Sequence, residues 1–343
     1  MKKGFLFVSF LLASALFCGC SENAGTTAVA VAAAAPTPSA TMATTSIKTA
    51  AAVDPTPSPI SQPPTATPLP TPFSMVWLSD TQMMSYRYPR AMSAIGSWIA
   101  ENRESENICY VLQTGDAVEN GFNPKQWDHF DLCYSQFADN IPYFPIAGNH
   151  DIALNHHDYT AFLSRPYDIF QNQEQLFEGG KALYAKVNAG GMELLILGAG
   201  WEAEESAIDW MSDVLTQNAD IPAILLFHGY TQAKGRFTVV GKKMFEQVVV
   251  PHANVRLVLC GHVPGCGGRI DEIDDDGDGA PDRTVHALLY DFQDYTEDCG
   301  QIRVLTFDPR NRSLRVVTFS PFTGRYFRDP LFHGSDFTIE HAF

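Results

Sequence analysis

Five short polar motifs, each preceded by an apolar run of strand length, constrain the fold more than any other feature of this chain. They are Ser79-Asp80-Thr81-Gln82, Gly115-Asp116-Ala117-Val118-Glu119, Gly148-Asn149-His150-Asp151, His228-Gly229 and Gly261-His262-Val263-Pro264. The preceding runs are Met75 to Leu78, Ile108 to Leu112, Tyr143 to Ile146, Ile224 to Phe227 and Val255 to Leu259. Helix-like segments alternate with them at Pro89 to Glu101, Pro124 to Phe137, Ser206 to Gln217 and Lys242 to Val249. Such alternation predicts an α/β fold. Open α/β sheets hold ligands beyond the carboxyl ends of their strands, so these carboxylate, amide and imidazole groups are expected to converge there as metal donors. Three further runs, Thr284 to Leu289, Gln301 to Phe307 and Ser313 to Phe319, are expected to complete a second sheet.

The order of these motifs resembles the calcineurin-like metallophosphoesterase superfamily, whose pattern is Asp-x-His, Gly-Asp, Gly-Asn-His-Asp/Glu, His and Gly-His-x-His. Asp80-Thr81-Gln82 together with the stretch Arg269 to Gly279 is similar to a secreted bacterial branch of it. The resemblance spans about Phe73 to Phe319. It implies a four-layer αββα sandwich of two mixed β-sheets flanked by helices. It also implies a two-metal site, in which paired ions activate a water to attack phosphorus.

Carried over position by position, the resemblance makes Asp116 the carboxylate that bridges both ions. It assigns Asn149, His228 and His262 with Asp116 to the second metal, a mixed oxygen and nitrogen set that suits Mn, Fe, Zn or Co. The first metal retains Asp80 and Asp116. Gln82, however, stands where the family has histidine, and Pro264 where the last histidine of Gly-His-x-His belongs. A glutamine oxygen can ligate a hard cation, but proline offers no side-chain donor. Three replacements for that missing donor are open: Cys266, His286, or backbone carbonyls and water. The resemblance makes His150 the group that contacts substrate and donates a proton to the leaving oxygen, with Asp151 orienting it.

Asp274, Asp276 and Asp278 followed by Gly279 match the opening of a calcium loop, with Asp282 as an extra ligand. Val285 stands where an EF-hand would place its bidentate glutamate, so the expected loop is of a shorter type. A solvated acidic hairpin tip is the alternative. Among the aromatic residues near the motifs, Tyr86, Tyr88, Phe122, Trp127, Tyr159 and Trp201, Trp201 is expected nearest the pocket. Cys109, Cys133 and Cys260 fit buried apolar positions, and Cys266 with Cys299 is the one pair in loop-like surroundings.

Of the 343 residues, 45% are hydrophobic, enough for a substantial core even with the first seventy or so set aside. Lys2 and Lys3 before the apolar run Phe5 to Phe17 read as a signal peptide over residues 1–20, too short for an ordinary membrane span. Gly19-Cys20 resembles a lipoprotein processing site, so Cys20 would carry a lipid anchor; ordinary cleavage and free secretion is the alternative. Residues 21–72 are rich in Ala, Thr, Pro and Ser and form the expected linker, with the phosphoesterase domain over 73–320 and a C-terminal extension over 321–343. A formal net charge of −16 argues against a nucleic-acid scaffold as partner. The expected partner is a phosphorylated small molecule or envelope polymer, met by an exported monomer. Two functions stay open: a metal-dependent phosphoesterase, or a single-metal or non-catalytic relative that binds a phosphorylated envelope component.

Overall fold

The computed structural model describes residues 69–152, 157–293, 300–327 and 335–343. The expected signal, Cys20, most of the linker and Cys299 lie outside the described residues. Among the described residues there are thirteen strands: β1 (Phe73–Leu78), β2 (Ile108–Gln113), β3 (Tyr143–Pro145), β4 (Leu176–Phe177), β5 (Ala182–Ala189), β6 (Met192–Ala199), β7 (Ala223–Phe227), β8 (Val255–Cys260), β9 (Gly265–Ile273), β10 (Arg283–Asp291), β11 (Ile302–Asp308), β12 (Ser313–Phe319) and β13 (Asp336–Ile339). Among the described residues the α-helices are α1 (Gln82–Arg87), α2 (Pro89–Glu101), α3 (Pro124–Ser135), α4 (Thr160–Leu163), α5 (Glu205–Gln217) and α6 (Val239–Met244).

The strands form two mixed sheets, one of six in the order β13-β12-β11-β1-β2-β3 and one of seven in the order β4-β5-β6-β7-β8-β10-β9. Side chains alternate between the faces of a strand, so a strand apolar on both faces must be covered on both. In β1, Phe73, Met75 and Trp77 point into the core between the sheets, whereas Val76 and Leu78 pack beneath α2 and α3. In the other sheet, Ile224 and Leu226 of β7 face the same central core, and Leu225 and Phe227 face α5 and α6. Three apolar layers thus separate four layers of secondary structure, the αββα sandwich.

The helix expected over Lys242 to Val249 begins earlier, at Val239, where the Thr238 side chain accepts from Gly241 N at 2.9 Å as an N-cap, and it ends in a π-helical turn over Phe245–Val249. A larger difference concerns the late strands, which do not all complete the second sheet. β10 pairs with β8 and β9 there, but β11 returns to the first sheet, antiparallel to β1 with Met75 opposite Leu305, and β12 follows it. The physical reason is the two-faced apolarity of β11. Leu305 and Phe307 complete the central core, while Ile302 and Val304 complete the layer under α2 and α3. The described end of the C-terminal extension also joins this sheet. β13 pairs with β12, and Ile339, Ala342 and Phe343 are buried in the central core.

Candidate metal centre

The motifs lie in the turns that leave the strands at their carboxyl ends. Asp80 follows β1, Asp116 follows β2 after a short turn, Asn149 follows β3, His228 follows β7 directly and His262 follows β8. These turns are tight. Asp80, Asp116 and His262 all adopt left-handed φ values, 51°, 52° and 71°. Non-glycine residues rarely occupy that region, and where they do the surrounding structure holds them in place. Two motif glycines explain how such loops fit together. A Cβ on Gly148 would lie 2.1 Å from Asp116 Oδ1, and one on Gly261 would lie 1.9 Å from Asp80 Oδ2. No side chain can occupy either position without moving a carboxylate.

Asp116, His228 and His262 present ligand atoms within 4.8 Å of one another. His228 Nε2 is 3.2 Å from Asp116 Oδ2, 3.0 Å from Asn149 Oδ1 and 3.2 Å from His262 Nδ1. The sequence-derived second set, Asp116, Asn149, His228 and His262, is therefore gathered around one point. Its orientation is fixed from behind: His228 Nδ1 donates to Thr114 O at 2.8 Å, which turns Nε2 toward the other donors. Burial opposes charge on His228, but the Asp116 carboxylate beside it, with help from Asp80, pushes its pKa up to about 10. His228 in turn holds Asp116 below the usual carboxylate range although burial acts the other way.

Asp80 is buried, and its oxygens accept from His262 N at 3.0 and 3.1 Å and from Ser79 Oγ at 2.5 Å. Burial, then the charges of Asp291 and Asp116, raise its pKa well above the ordinary carboxylate value. Gln82, the first residue of α1, is also buried, and its Nε2 donates to Asp116 Oδ2 at 3.3 Å and to Gln293 Oε1 at 2.6 Å. Its Oε1 is buried without a hydrogen-bond partner. Gln82 thus offers a buried amide oxygen with no protein partner on a side chain in contact with Asp116, and with the carboxylate and imidazole donors gathered there the residues fit divalent metal. Pro264 is exposed on the turn into β9 and contributes nothing.

The first two open replacements for the missing donor lie elsewhere. Cys266 is buried in the central core, and His286 sits in the middle of β10 opposite Leu257 and Ile270. Sequence reasoning passed over Asp291 at the end of β10 because no motif marks it. Its signal was a lone acid ending an apolar strand, in the stretch Ala287 to Asp291.

His150 N donates to Asp116 Oδ1 at 2.8 Å, which brings the ring close to the cluster. The expectation that Asp151 orients this ring does not hold. Asp151 accepts from Gly148 N at 2.8 Å and Val118 N at 3.1 Å, tying the Gly148 turn to the Asp116 loop, and burial followed by the nearby Asp116 charge raises its pKa to about 7. Glu119 does the orienting. His150 Nδ1 donates to Glu119 O at 2.9 Å, with Glu119 Oε2 3.5 Å away, so the Nδ1 edge of the ring is held by the Glu119 loop. Burial lowers the His150 pKa, but Asp116 and Glu119 outweigh it and raise it above the ordinary value.

Trp201 lies over the imidazoles, its ring 4.6 Å from that of His262 and 5.6 Å from that of His228. Trp127 is in the core beneath α3, and Tyr86 and Phe122 are exposed. Asp274, Asp276 and Asp278 form a second cluster of acids within 4.8 Å, on the exposed turn between β9 and β10. There Asp274 accepts from Gly277 N and Gly279 N, and Asp282 from Asp275 N and Asp276 N.

Comparison with known proteins bears on the family and the fold. The chain is 35% identical over 270 residues to the uncharacterized protein YvnB of Bacillus subtilis (strain 168), a match covering 77% of this chain and 21% of that one. It is 26% identical over 163 residues to a probable cyclic nucleotide phosphodiesterase of Moraxella catarrhalis (strain BBH18), covering 44% of this chain and 57% of that one. It therefore spans about a fifth and somewhat over half of the lengths of these relatives. Among solved structures, the purple acid phosphatase PPD1 from yellow lupin (Lupinus luteus) seeds shares the fold with a TM-score of 0.52 at 15% identity, over 80% of this chain and 55% of that one. GAP50, the anchor in the inner membrane complex of Plasmodium, does so with a TM-score of 0.50 at 13% identity, over 78% of this chain and 88% of that one. The sequence profile of the calcineurin-like phosphoesterases matches residues 73–266, more than half of the chain, and the protein belongs to that family.

Proposed function

We propose that this protein is an exported, metal-dependent phosphoesterase that hydrolyses a phosphomonoester or phosphodiester. The observation that carries the reading is the convergence of Asp116, Asn149, His228 and His262 beside the unsatisfied oxygen of Gln82. Divalent ions bound there would supply Lewis-acid charge to the phosphoryl group and acidify the attacking water. The chain's own residues do the rest. Asp116 lies between the two donor sets and offers charge to both. His150, fixed through Nδ1 by Glu119, keeps Nε2 to donate a proton to the leaving oxygen. Trp201 covers the imidazoles and limits their access to bulk water.

The family resemblance at Gln82 and Pro264 supports a first metal site altered from the common pattern. The N-terminal sequence supports export with Cys20 as a lipid anchor and residues 21–72 as a tether. On that reading the substrate is a phosphorylated small molecule or envelope polymer, the membrane is met only through the anchor, and the protein is a monomer. A calcium ion at Asp274, Asp276, Asp278 and Asp282 belongs to the same proposal.

The test is metal content and hydrolysis measured together. The full chain purified without chelator should carry transition-type divalent metal and cleave p-nitrophenyl phosphate or its bis ester. Asp116→Asn should lose metal and lower turnover on the order of a hundredfold or more. A metal-loaded protein that binds phosphate esters and cleaves none would replace this reading with that of a binding protein.

A further inference from the structure

We propose that Asp291 supplies the donor missing at Pro264, completing a first cation site of Asp80, Gln82, Asp116 and Asp291 in which Gln293 positions two of the four. The inference rests on the metal-dependent reading above but goes beyond the family's ligand pattern.

The topology places Asp291 there. β8 and β10 are parallel neighbours with Leu289 opposite Cys260, so Asp291, two residues further, comes level with His262 at the same end of the sheet. Its antiparallel partner on the other side is Gly265, the residue after Pro264. The strand next to the Gly-His turn thus delivers a carboxylate where the turn itself delivers only an exposed proline. Asp291 is fully buried. It accepts from Gln293 N at 2.9 Å and from Gln293 Nε2 at 2.7 Å. The Gln293 amide oxygen then accepts from Gln82 Nε2, which reaches Asp116. A continuous polar chain therefore runs Asp291, Gln293, Gln82, Asp116.

Two features of this chain call for a cation. Asp80, Asp116 and Asp291 are three buried carboxylates, and the His228 ring is in contact with one of them, Asp116. Gln82 Oε1, meanwhile, is buried in the same cluster without a partner. Side-chain oxygens alone make up the set, whereas the neighbouring set includes two imidazoles. Oxygen sets select hard cations such as Mg²⁺ or Mn²⁺, and imidazole sets hold Zn²⁺, Fe²⁺ or Co²⁺. The centre is accordingly built for two unlike ions. Gln293 is a positioning residue, since it bonds to Gln82 and Asp291 rather than to the ion.

The experiment is Mn²⁺ titration of the full chain by calorimetry and electron paramagnetic resonance, with bound metal counted by mass spectrometry. The protein is first loaded with one equivalent of Zn²⁺. Wild type should bind one further Mn²⁺. Asp291→Asn should keep the Zn²⁺ and weaken Mn²⁺ at least tenfold. Asp291→His, which keeps a ligating group, should retain two ions but shift the second from Mn²⁺ toward Zn²⁺. Gln293→Ala should weaken Mn²⁺ less than Asp291→Asn does. Two wild-type outcomes for the variants, unchanged Mn²⁺ affinity and unchanged selectivity, would overturn the assignment, as would a wild type that binds no Mn²⁺ beyond its Zn²⁺. Hydrolysis is scored separately. A protein that binds both ions through Asp291 and cleaves no phosphate ester keeps this inference and loses the proposed activity.

Discussion

Gly261 and His150 carry the sharpest predictions about single residues. Gly261→Ala would place a methyl group against Asp80 Oδ2, so the loop must move and metal affinity should fall about ten- to a hundredfold in a titration. An unchanged affinity would mean that Asp80 is not a ligand. His150→Gln should leave metal content intact and lower kcat by about 10²–10⁴. The pH dependence follows from its raised pKa. The protonated ring is the donor, so activity should fall as pH rises through that pKa. Glu119→Gln removes one of the charges that raise it, and should therefore move the alkaline limb of the pH–rate profile to lower pH. A limb that stays in place would remove Glu119 from the account. These roles were only half legible in the sequence. Gly148 to Asp151 announces an acid, but whether Asp151 or Glu119 orients it depends on which loop crosses behind the ring.

At the level of elements, the five runs that precede the motifs were readable because each is apolar on both faces, as a strand covered by helices must be. The observed strands β1, β2, β3, β7 and β8 differ from those runs only at their ends. Sheet membership was not readable. β11 and β12 have the same local character as β10, yet they pair on opposite sides of the central core. Residues 321–343 carry too weak a pattern to be recognised as part of a sheet, although β13 closes its edge and Phe343 packs against Phe307 with ring centroids 5.8 Å apart. Phe343→Ala should accordingly cost about 3 kcal/mol in urea unfolding, as loss of a buried aromatic ring does. A cost under about 0.5 kcal/mol would show that the C-terminal residues only lie against the sheet.

For the whole molecule, metal and protons compete at one place. The His228 pKa is raised from 6.5 to about 10 by Asp116, so in metal-free protein its proton stabilises the fold fully below pH 6.5. That stabilisation is lost as pH rises through about 10. A metal ligated by His228 must displace the proton, so metal binding should release protons and tighten with rising pH across the same window. Competition titrations with a metal indicator at successive pH values would show it, and a flat profile would place the metal away from His228. Saturation should also raise stability, by about 2.7 kcal/mol at a free concentration of 100 times Kd.

The sequence alone determined the α/β class and the order of the motifs along the chain, because strand-plus-turn motifs are local, and its family resemblance supplied the expectation that Asp116, Asn149, His228 and His262 form one donor set. Only the tertiary structure decided which strands share a sheet, that Glu119 rather than Asp151 faces the His150 ring, and that Gln293 links Asp291 to Gln82. Those three facts are contacts between segments far apart in sequence. They are set by how two twisted sheets bury their apolar faces against each other, and nothing in the residues flanking Asp291 records that its strand ends next to the turn where Pro264 has no donor to give.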